Sequence, residues 1–340
     1  MMPKLRPIER IVVVGAGSWG TTVANLLAGK GFDVRLWARE AELAREISDC
    51  GENRRYLPGV ALHPNLKGAT SLGDSVQRAE LVVFAIPAQS LRQMIRCARP
   101  FIADEVVIVN LAKGIEEGTA ARCSEMVNEE LKQSNPVAVL SGPNIAWEVV
   151  RGVPSKGVVA CSNFRYLGLL QDVFSTPCFK VYENPDLAGT ELGGALKNVI
   201  AIMAGIGDGL GYGANTKSAI ITRGLQEMTR IGVVMGGHRE TFLGLSGMGD
   251  LMATSLSEHS RNRRLGECLG RGATLSEAEA ALNGRVAEGV MTTKALVEIK
   301  SAFRLETPIV ENVHRVLFEG LPAREGYLAT WNSCERFEGD

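Results

Sequence analysis

The chain has 340 residues, of which 45% are hydrophobic and 22% charged, and its formal net charge is −1 at pH 7. That length predicts two or more domains, and the balance excludes a disordered chain, a strongly basic nucleic-acid binder and, with seven cysteines and no C-x-x-C pair, a disulfide framework. Glycine is the outlier at 38 residues, about 11% against the roughly 7% of average usage, with no Gly-X-Y period.

The first ten residues run into a strand-like segment without a cleavage signal, so no signal peptide is expected. Apolar stretches such as Val199 to Ile206 are too short to cross a bilayer, and a soluble, cytoplasmic protein follows as the expectation. In chain order, Ile11 to Val14, Asp33 to Trp37, Leu81 to Ile86, Val106 to Asn110 and Val137 to Leu140 read as buried strands with helical patterns between most of them. Cys50 to Ser75 reads as a long irregular connection, of the kind that is often functional. Lys156 to Ala160 and Cys178 to Glu183 predict two further strands around a helix at Phe164 to Phe174.

Beyond Asn184-Pro185 the β-branched runs thin out and helices are predicted at Thr190 to Ala204, Asn215 to Met235, Ser276 to Leu282 and Met291 to Ser301. The expected architecture is α/β, a Rossmann-like doubly wound sheet over 1–186 followed by an all-helical substrate domain over 187–340.

Gly15-Ala16-Gly17-Ser18-Trp19-Gly20 follows the first strand and opens a helix. Gly15 permits the tight turn, Gly17 the approach of backbone to a pyrophosphate, and Gly20 close packing of helix and strand. At the end of the second strand, where NAD sites commonly carry a carboxylate, Trp37-Ala38-Arg39 offers a guanidinium. Arg39 therefore points to NADPH or to use of both cofactors, the alternative being a solvated arginine beside Glu40.

Four further stretches carry chemistry. Lys113 lies just past the strand ending at Asn110, on the edge where a doubly wound sheet binds ligands, or else is a surface lysine before a turn. Ser141 to Glu148 falls on the same edge, with serine and asparagine as candidate caps of a new helix whose N–H groups would meet a ligand. In Glu191 to Asn198, Lys197 shares a helix face with Gly193 and Gly194, a surface cleared of side chains around one ammonium. A lysine desolvated there would suit proton transfer; the alternative is a tight helix contact with the ammonium reaching solvent. Five alternating glycines, Gly205 to Gly213, read as the end of that helix and a hinge-like connection, with Asn215 as the next cap. Asp250 and Thr254 stand four apart, a carboxylate beside a hydroxyl if helical, and Ser260-Arg261-Asn262-Arg263-Arg264 is a candidate phosphate site or a solvated basic face. The four histidines show no metal-ligand spacing, so no metal is expected and a lysine must carry the proton.

Taken together, Gly-Ala-Gly-Ser-Trp-Gly-Thr at Gly15, Ala-Lys-Gly at Lys113, Ser-Gly-Pro-Asn-Ile-Ala at Ser141, Leu-Lys-Asn at Lys197, Gly-Ala-Asn-Thr-Lys at Asn215, Gly-Asp-Leu-Met-Ala-Thr at Asp250 and Ser-Arg-Asn at Arg261 resemble the bacterial NAD(P)-dependent glycerol-3-phosphate dehydrogenases, from about Ile11 to Glu319. The resemblance implies reversible reduction of dihydroxyacetone phosphate to sn-glycerol 3-phosphate for phospholipid synthesis, with NADPH/NADP or NADH/NAD as cofactor. It implies Lys197 as the proton-transferring group, with Lys113 and Asp250 in support. Lys113, Gly142, Asn144, Asp250, Ser260, Arg261 and Asn262 would contact substrate. Gly15, Gly17, Ser18, Trp19, Gly20, Arg39, Lys113, Ala146, Arg261, Val286 and Glu288 would contact the cofactor. Neither a nucleic acid nor a membrane span is expected, and a homodimer is the assembly considered. The competing readings are a β-hydroxyacid or phosphogluconate-type dehydrogenase, and a non-catalytic dinucleotide sensor.

Overall fold

The computed structural model describes residues 5–132 and 135–333. They form two compact units, the first comprising the chain up to Lys113 together with Arg122–Glu191, the second Gly114–Ala121 together with the chain from Leu192.

The first unit is built on eight strands: β1 (Arg10–Val14), β2 (Asp33–Trp37), β3 (Leu66–Ala69), β4 (Leu81–Phe84), β5 (Val107–Asn110), β6 (Val137–Ser141), β7 (Ser155–Cys161) and β8 (Phe179–Asn184). They lie in the order β3-β2-β1-β4-β5-β6-β7-β8. β1 pairs with both β2 and β4, Ile11 opposite Val34 on one side and Leu81 on the other, so the strand order reverses beside it. Ligands of doubly wound sheets bind outside the carboxyl ends of the strands at such a reversal. Every pairing is parallel except β6 with β7. The Ser18–Gly29 helix covers the sheet because Val23, Ala24, Leu27 and Ala28 form one apolar stripe, all of it buried.

The Cys50 to Ser75 connection is not wholly irregular, since it contains β3. Leu-Lys-Gly-Ala lacks a β-branched signal, and Gly68 is there because a Cβ would stand 2.0 Å from the Ala44 carbonyl oxygen of the overlying Ala41–Cys50 helix.

A 23-residue helix, Leu187–Gly209, begins in the first unit and continues through the second. In the first unit its Glu191 accepts from the Ser124 N–H at 2.8 Å and the Ser124 hydroxyl at 2.5 Å, and pairs with Arg122 at 2.8 Å. Burial pushes the Glu191 carboxyl above its ordinary range, against the pull of Arg122 and Ser124. The compact units meet in sequence between Glu191 and Leu192, inside this helix.

In the second unit that helix is buried on all sides from Val199 to Ala204. The glycines after it do not form a hinge. Gly205 and Gly209 lie within the helix, and a Cβ on either would stand 2.0 Å from the Arg263 and 2.2 Å from the Glu267 carbonyl oxygen of the Arg261–Gly270 helix. Gly266 and Gly270 press back in the same way on the Ile202 and Ile206 carbonyls. Each helical glycine costs about 1 kcal/mol against alanine, and the contact of two backbones offsets it. Only Leu210 to Gly213 remain as connection, and Gly213, not Asn215, caps the following Ala214–Val234 helix. The remaining predicted helices are found as Leu275–Ala280 and Glu288–Phe303, and Pro308–Phe318 and Ala323–Asn332 follow. Among the described residues no helix is long and apolar enough to cross a membrane.

Candidate active site

In the first unit the glycine turn starts where β1 ends. Gly15 has φ +117°, its N–H donates to the Trp37 carbonyl at 3.0 Å, and a Cβ there would stand 2.5 Å from the Ala85 carbonyl oxygen beyond β4. A Cβ on Gly20 would stand 2.0 Å from the Gly15 oxygen, whereas one on Gly17 would meet nothing. Backbone packing thus fills two sides of the turn and leaves open the side at which the helix starts. The first N–H groups of that helix have no acceptor within it, so the turn fits the pyrophosphate of a dinucleotide. Ser18 donates to the Tyr56 carbonyl at 2.9 Å, and Trp19 packs edge-on against Phe179 with its Nε1 buried and unpartnered among the described residues. Arg39, at the end of β2, is exposed and pairs with Glu40 at 3.0 Å.

On the same carboxyl edge the loops after β5 and β6 meet. Lys113 Nζ donates to the Gly142 carbonyl at 2.9 Å. Gly142 holds φ +119°, with space for a Cβ limited by Gly157 Cα at 3.1 Å. The following Ala146–Val150 helix is capped by neither Ser141 nor Asn144: its first flanking residue is Ile145, without a side-chain cap. Ser141 is instead the buried last residue of β6, and both amide atoms of Asn144 are buried without a partner among the described residues. An unpaired buried amide costs free energy until a ligand or water meets it, which suits the expected contact with substrate.

The second unit assembles the sharpest cluster. Lys197 is 6% exposed, so its side chain is buried rather than extended into solvent. Its Nζ donates to Thr254 Oγ1 at 2.6 Å and lies 3.2 Å from Asp250 Oδ1, and the Thr254 hydroxyl donates to the same carboxylate oxygen at 3.2 Å. Asp250 and Thr254 do share one face of a helix, Asp250–Leu256. The face beside Gly193 is not bare: a wide turn, Leu245–Gly249, lies against it, and a Cβ on Gly193 would stand 2.6 Å from the Ser246 oxygen. The glycine thus lets in the turn that delivers Asp250.

Ser260 caps the Arg261–Gly270 helix by accepting from the Arg263 N–H at 3.2 Å. Arg263 turns to Asp208 at 2.6 Å, while Arg261 and Arg264 are exposed. The buried Asn262 side chain is committed, donating to Asn198 Oδ1 at 2.8 Å and accepting from the Gly289 N–H at 3.0 Å. That second bond brings Val286 and Glu288, just ahead of Gly289, to the start of the Arg261–Gly270 helix; Val286 is exposed and Glu288 half-buried.

The models of the N-terminus and C-terminus of NAD-dependent glycerol-3-phosphate dehydrogenase match residues 10–166 and 186–327. The chain belongs to the NAD-dependent glycerol-3-phosphate dehydrogenase family. It is 48% identical over 321 residues to the glycerol-3-phosphate dehydrogenase [NAD(P)+] of Chlorobium phaeobacteroides, covering 94% of this chain and 96% of that one. The corresponding protein of Moorella thermoacetica is 48% identical over 314 residues, 92% of this chain and 93% of its own. A crystal structure of glycerol-3-phosphate dehydrogenase from Coxiella burnetii superposes with a TM-score of 0.92 at 37% identity, covering 96% of this chain and 99% of that chain.

Within this glycerol-3-phosphate dehydrogenase fold, sequence reasoning passed over Asn53. Fully buried, it donates to the Ala16 carbonyl at 3.0 Å and to Thr21 Oγ1 at 2.8 Å, tying the Cys50 to Ser75 connection to the glycine turn. It also passed over Asn198 as the partner of Asn262 and Glu191 as the anchor of the long helix. A polar residue in a largely apolar helix hinted at Glu191 and Asn198, whereas Asn53 stands among Glu52, Arg54 and Arg55 and carried no such signal.

Proposed function

We propose that the chain catalyses the reversible NAD(P)H-dependent reduction of dihydroxyacetone phosphate to sn-glycerol 3-phosphate, with a dinucleotide-binding domain over 1–186 and a substrate and catalytic domain over 187–340. The observation that carries the reading is the buried Lys197–Asp250–Thr254 cluster. A buried ion pair is expensive to assemble, and here its ammonium is aimed by two oxygens.

Gly15 to Gly20 would hold the dinucleotide, with Arg39 toward its adenosine ribose, and when bound it would supply the hydride for the C2 carbonyl carbon. Lys197 gives a proton from Nζ to the C2 oxygen as it becomes an alkoxide, and the neutral amine takes it back in the reverse direction. Asp250 favours the charged ammonium that a proton donor must be, and Thr254 fixes its direction. Lys113 polarises and orients the carbonyl end of the substrate, and Asn144 offers its buried amide. Arg261 takes the phosphate together with the first N–H groups of the helix that Ser260 caps, while Asn262 holds that helix start in place. Phosphate binding then positions the substrate at a distance from the reacting carbon. The product would feed glycerophospholipid synthesis in the cytoplasm, and the assembly would be a homodimer, which light scattering of the purified protein reads out.

The test is steady-state oxidation of NADPH and of NADH, side by side, with dihydroxyacetone phosphate. Formation of sn-glycerol 3-phosphate is expected. Cofactor binding without turnover on this substrate would overturn the proposal.

A further inference from the structure

The end of β2 holds a charge arrangement of which the reaction above uses only Arg39. The Glu40 carboxylate lies between two guanidinium groups, with one oxygen 3.0 Å from Arg39 and 3.7 Å from Arg55. Glu40 flanks the start of the Ala41–Cys50 helix but makes no side-chain cap there, so its carboxylate serves the arginines. The Arg39 hydrogen bond holds that carboxyl below its ordinary range, and it is ionised at neutral pH.

Arg55 is not an arbitrary surface residue. Its loop is fastened to the glycine turn from both sides. Asn53 donates to the Ala16 carbonyl and to Thr21, its own Oδ1 accepts from the Tyr56 N–H at 3.1 Å, and Ser18 donates to the Tyr56 carbonyl. The Arg55 guanidinium also lies 5.2 Å from the centre of the Tyr56 ring, a cation–π contact that limits its wandering. The neighbouring Arg54 is instead engaged with Glu52 at 2.7 Å.

We propose that Arg55 is a second guanidinium for the 2′-phosphate of NADPH, and that Glu40 is the interchangeable anion which keeps Arg39 and Arg55 paired when the cofactor is NADH. The inference rests on the reading of the first unit as a dinucleotide site. Two arginines and one carboxylate leave one positive charge, whereas a phosphate monoester brings close to two negative ones and three acceptor oxygens. The exposed Glu40 pairs are weak, so a phosphate can displace the carboxylate with little cost. With NADH the carboxylate stays and accepts from the ribose 2′-hydroxyl, as an acidic residue does at this point of NAD sites. One site would then serve both cofactors.

The test compares Arg55→Ala and Glu40→Gln with the unaltered enzyme. Calorimetry with adenosine 2′,5′-bisphosphate and adenosine 5′-monophosphate reads binding, and KM for NADPH and NADH reads the reaction. Arg55→Ala should weaken the bisphosphate and raise KM for NADPH by about tenfold, with the monophosphate and NADH within about twofold. Glu40→Gln should tighten the bisphosphate several-fold, on the order of one lost repulsion. Equal effects of Arg55→Ala on both nucleotides, or none on either, would overturn the proposal. Failure of the dehydrogenase reading would show separately, as absence of turnover with both cofactors in the unaltered enzyme.

Discussion

Lys113 and Lys197 each stand in a glycine-bearing motif, and each is tied to an oxygen by its ammonium, yet their surroundings differ in kind. Lys113 is half-buried on a loop and donates to the neutral Gly142 carbonyl. Lys197 is buried in the middle of a long helix and is held by a carboxylate and a hydroxyl that are themselves bonded to each other. The contrast teaches that motif and spacing pick out candidate lysines, while burial and counter-charge set the lysine proposed to exchange a proton apart from the one proposed to orient. Taking each ion out of water costs several kcal/mol, and only a well-aligned partner offsets that cost.

The sharpest way to break the contrast is Asp250→Ala. It leaves the Lys197 ammonium buried without its carboxylate, a loss of about 3–5 kcal/mol. A fall of several degrees in Tm and about a hundred-fold in kcat is expected from calorimetry and steady-state assay. An unchanged Tm would mean that the pair is not a coupled unit.

Glu227 supplies the control from the carboxylate side, being buried and, among the described residues, held by backbone N–H groups rather than by a lysine. It accepts from the Ile309 and Val310 N–H groups at 2.9 and 2.8 Å, and burial pushes it up to about 7 despite those bonds and the nearby Arg230. A raised carboxyl binds its proton more tightly in the folded state, so this contribution to stability is complete below the unfolded value near 4.5 and is lost as pH rises through 7. The unaltered protein should therefore lose roughly 3 kcal/mol relative to Glu227→Gln between pH 4.5 and 7.5 in denaturant titrations. Parallel stability curves for the two proteins would show that Glu227 does not titrate in this range.

Lys113→Ala should do least to stability, about 1 kcal/mol for one hydrogen bond to a carbonyl. Its effect is expected mainly in KM for dihydroxyacetone phosphate, about tenfold, with kcat less affected than in Asp250→Ala. If both variants lost kcat equally, the distinction between the two lysines would be wrong.

The elements and candidates that could be read from the chain are those whose signal is local. β-Branched runs such as Val12-Val13-Val14 announce buried strands, Gly15 to Gly20 announces its turn, and the four-residue spacing of Asp250 and Thr254 announces a shared face. What escaped depends on partners distant in sequence. Lys197 and Thr254 are 57 residues apart, and Asn198 and Asn262 are 64 apart. Gly205 and Gly209 look like a linker because glycine weakens an isolated helix; only the facing backbone of Arg263 and Glu267 makes helix the better state. β3 failed for the same reason, since Gly68 answers to Ala44 rather than to strand propensity.

The measurement that bears most directly on Lys197 as proton donor is kcat of Lys197→Ala at saturating dihydroxyacetone phosphate and NADPH, beside its calorimetric Kd for NADPH. A fall of about a thousand-fold in kcat with Kd within about twofold is predicted. A kcat equal to that of the unaltered enzyme would contradict the assignment.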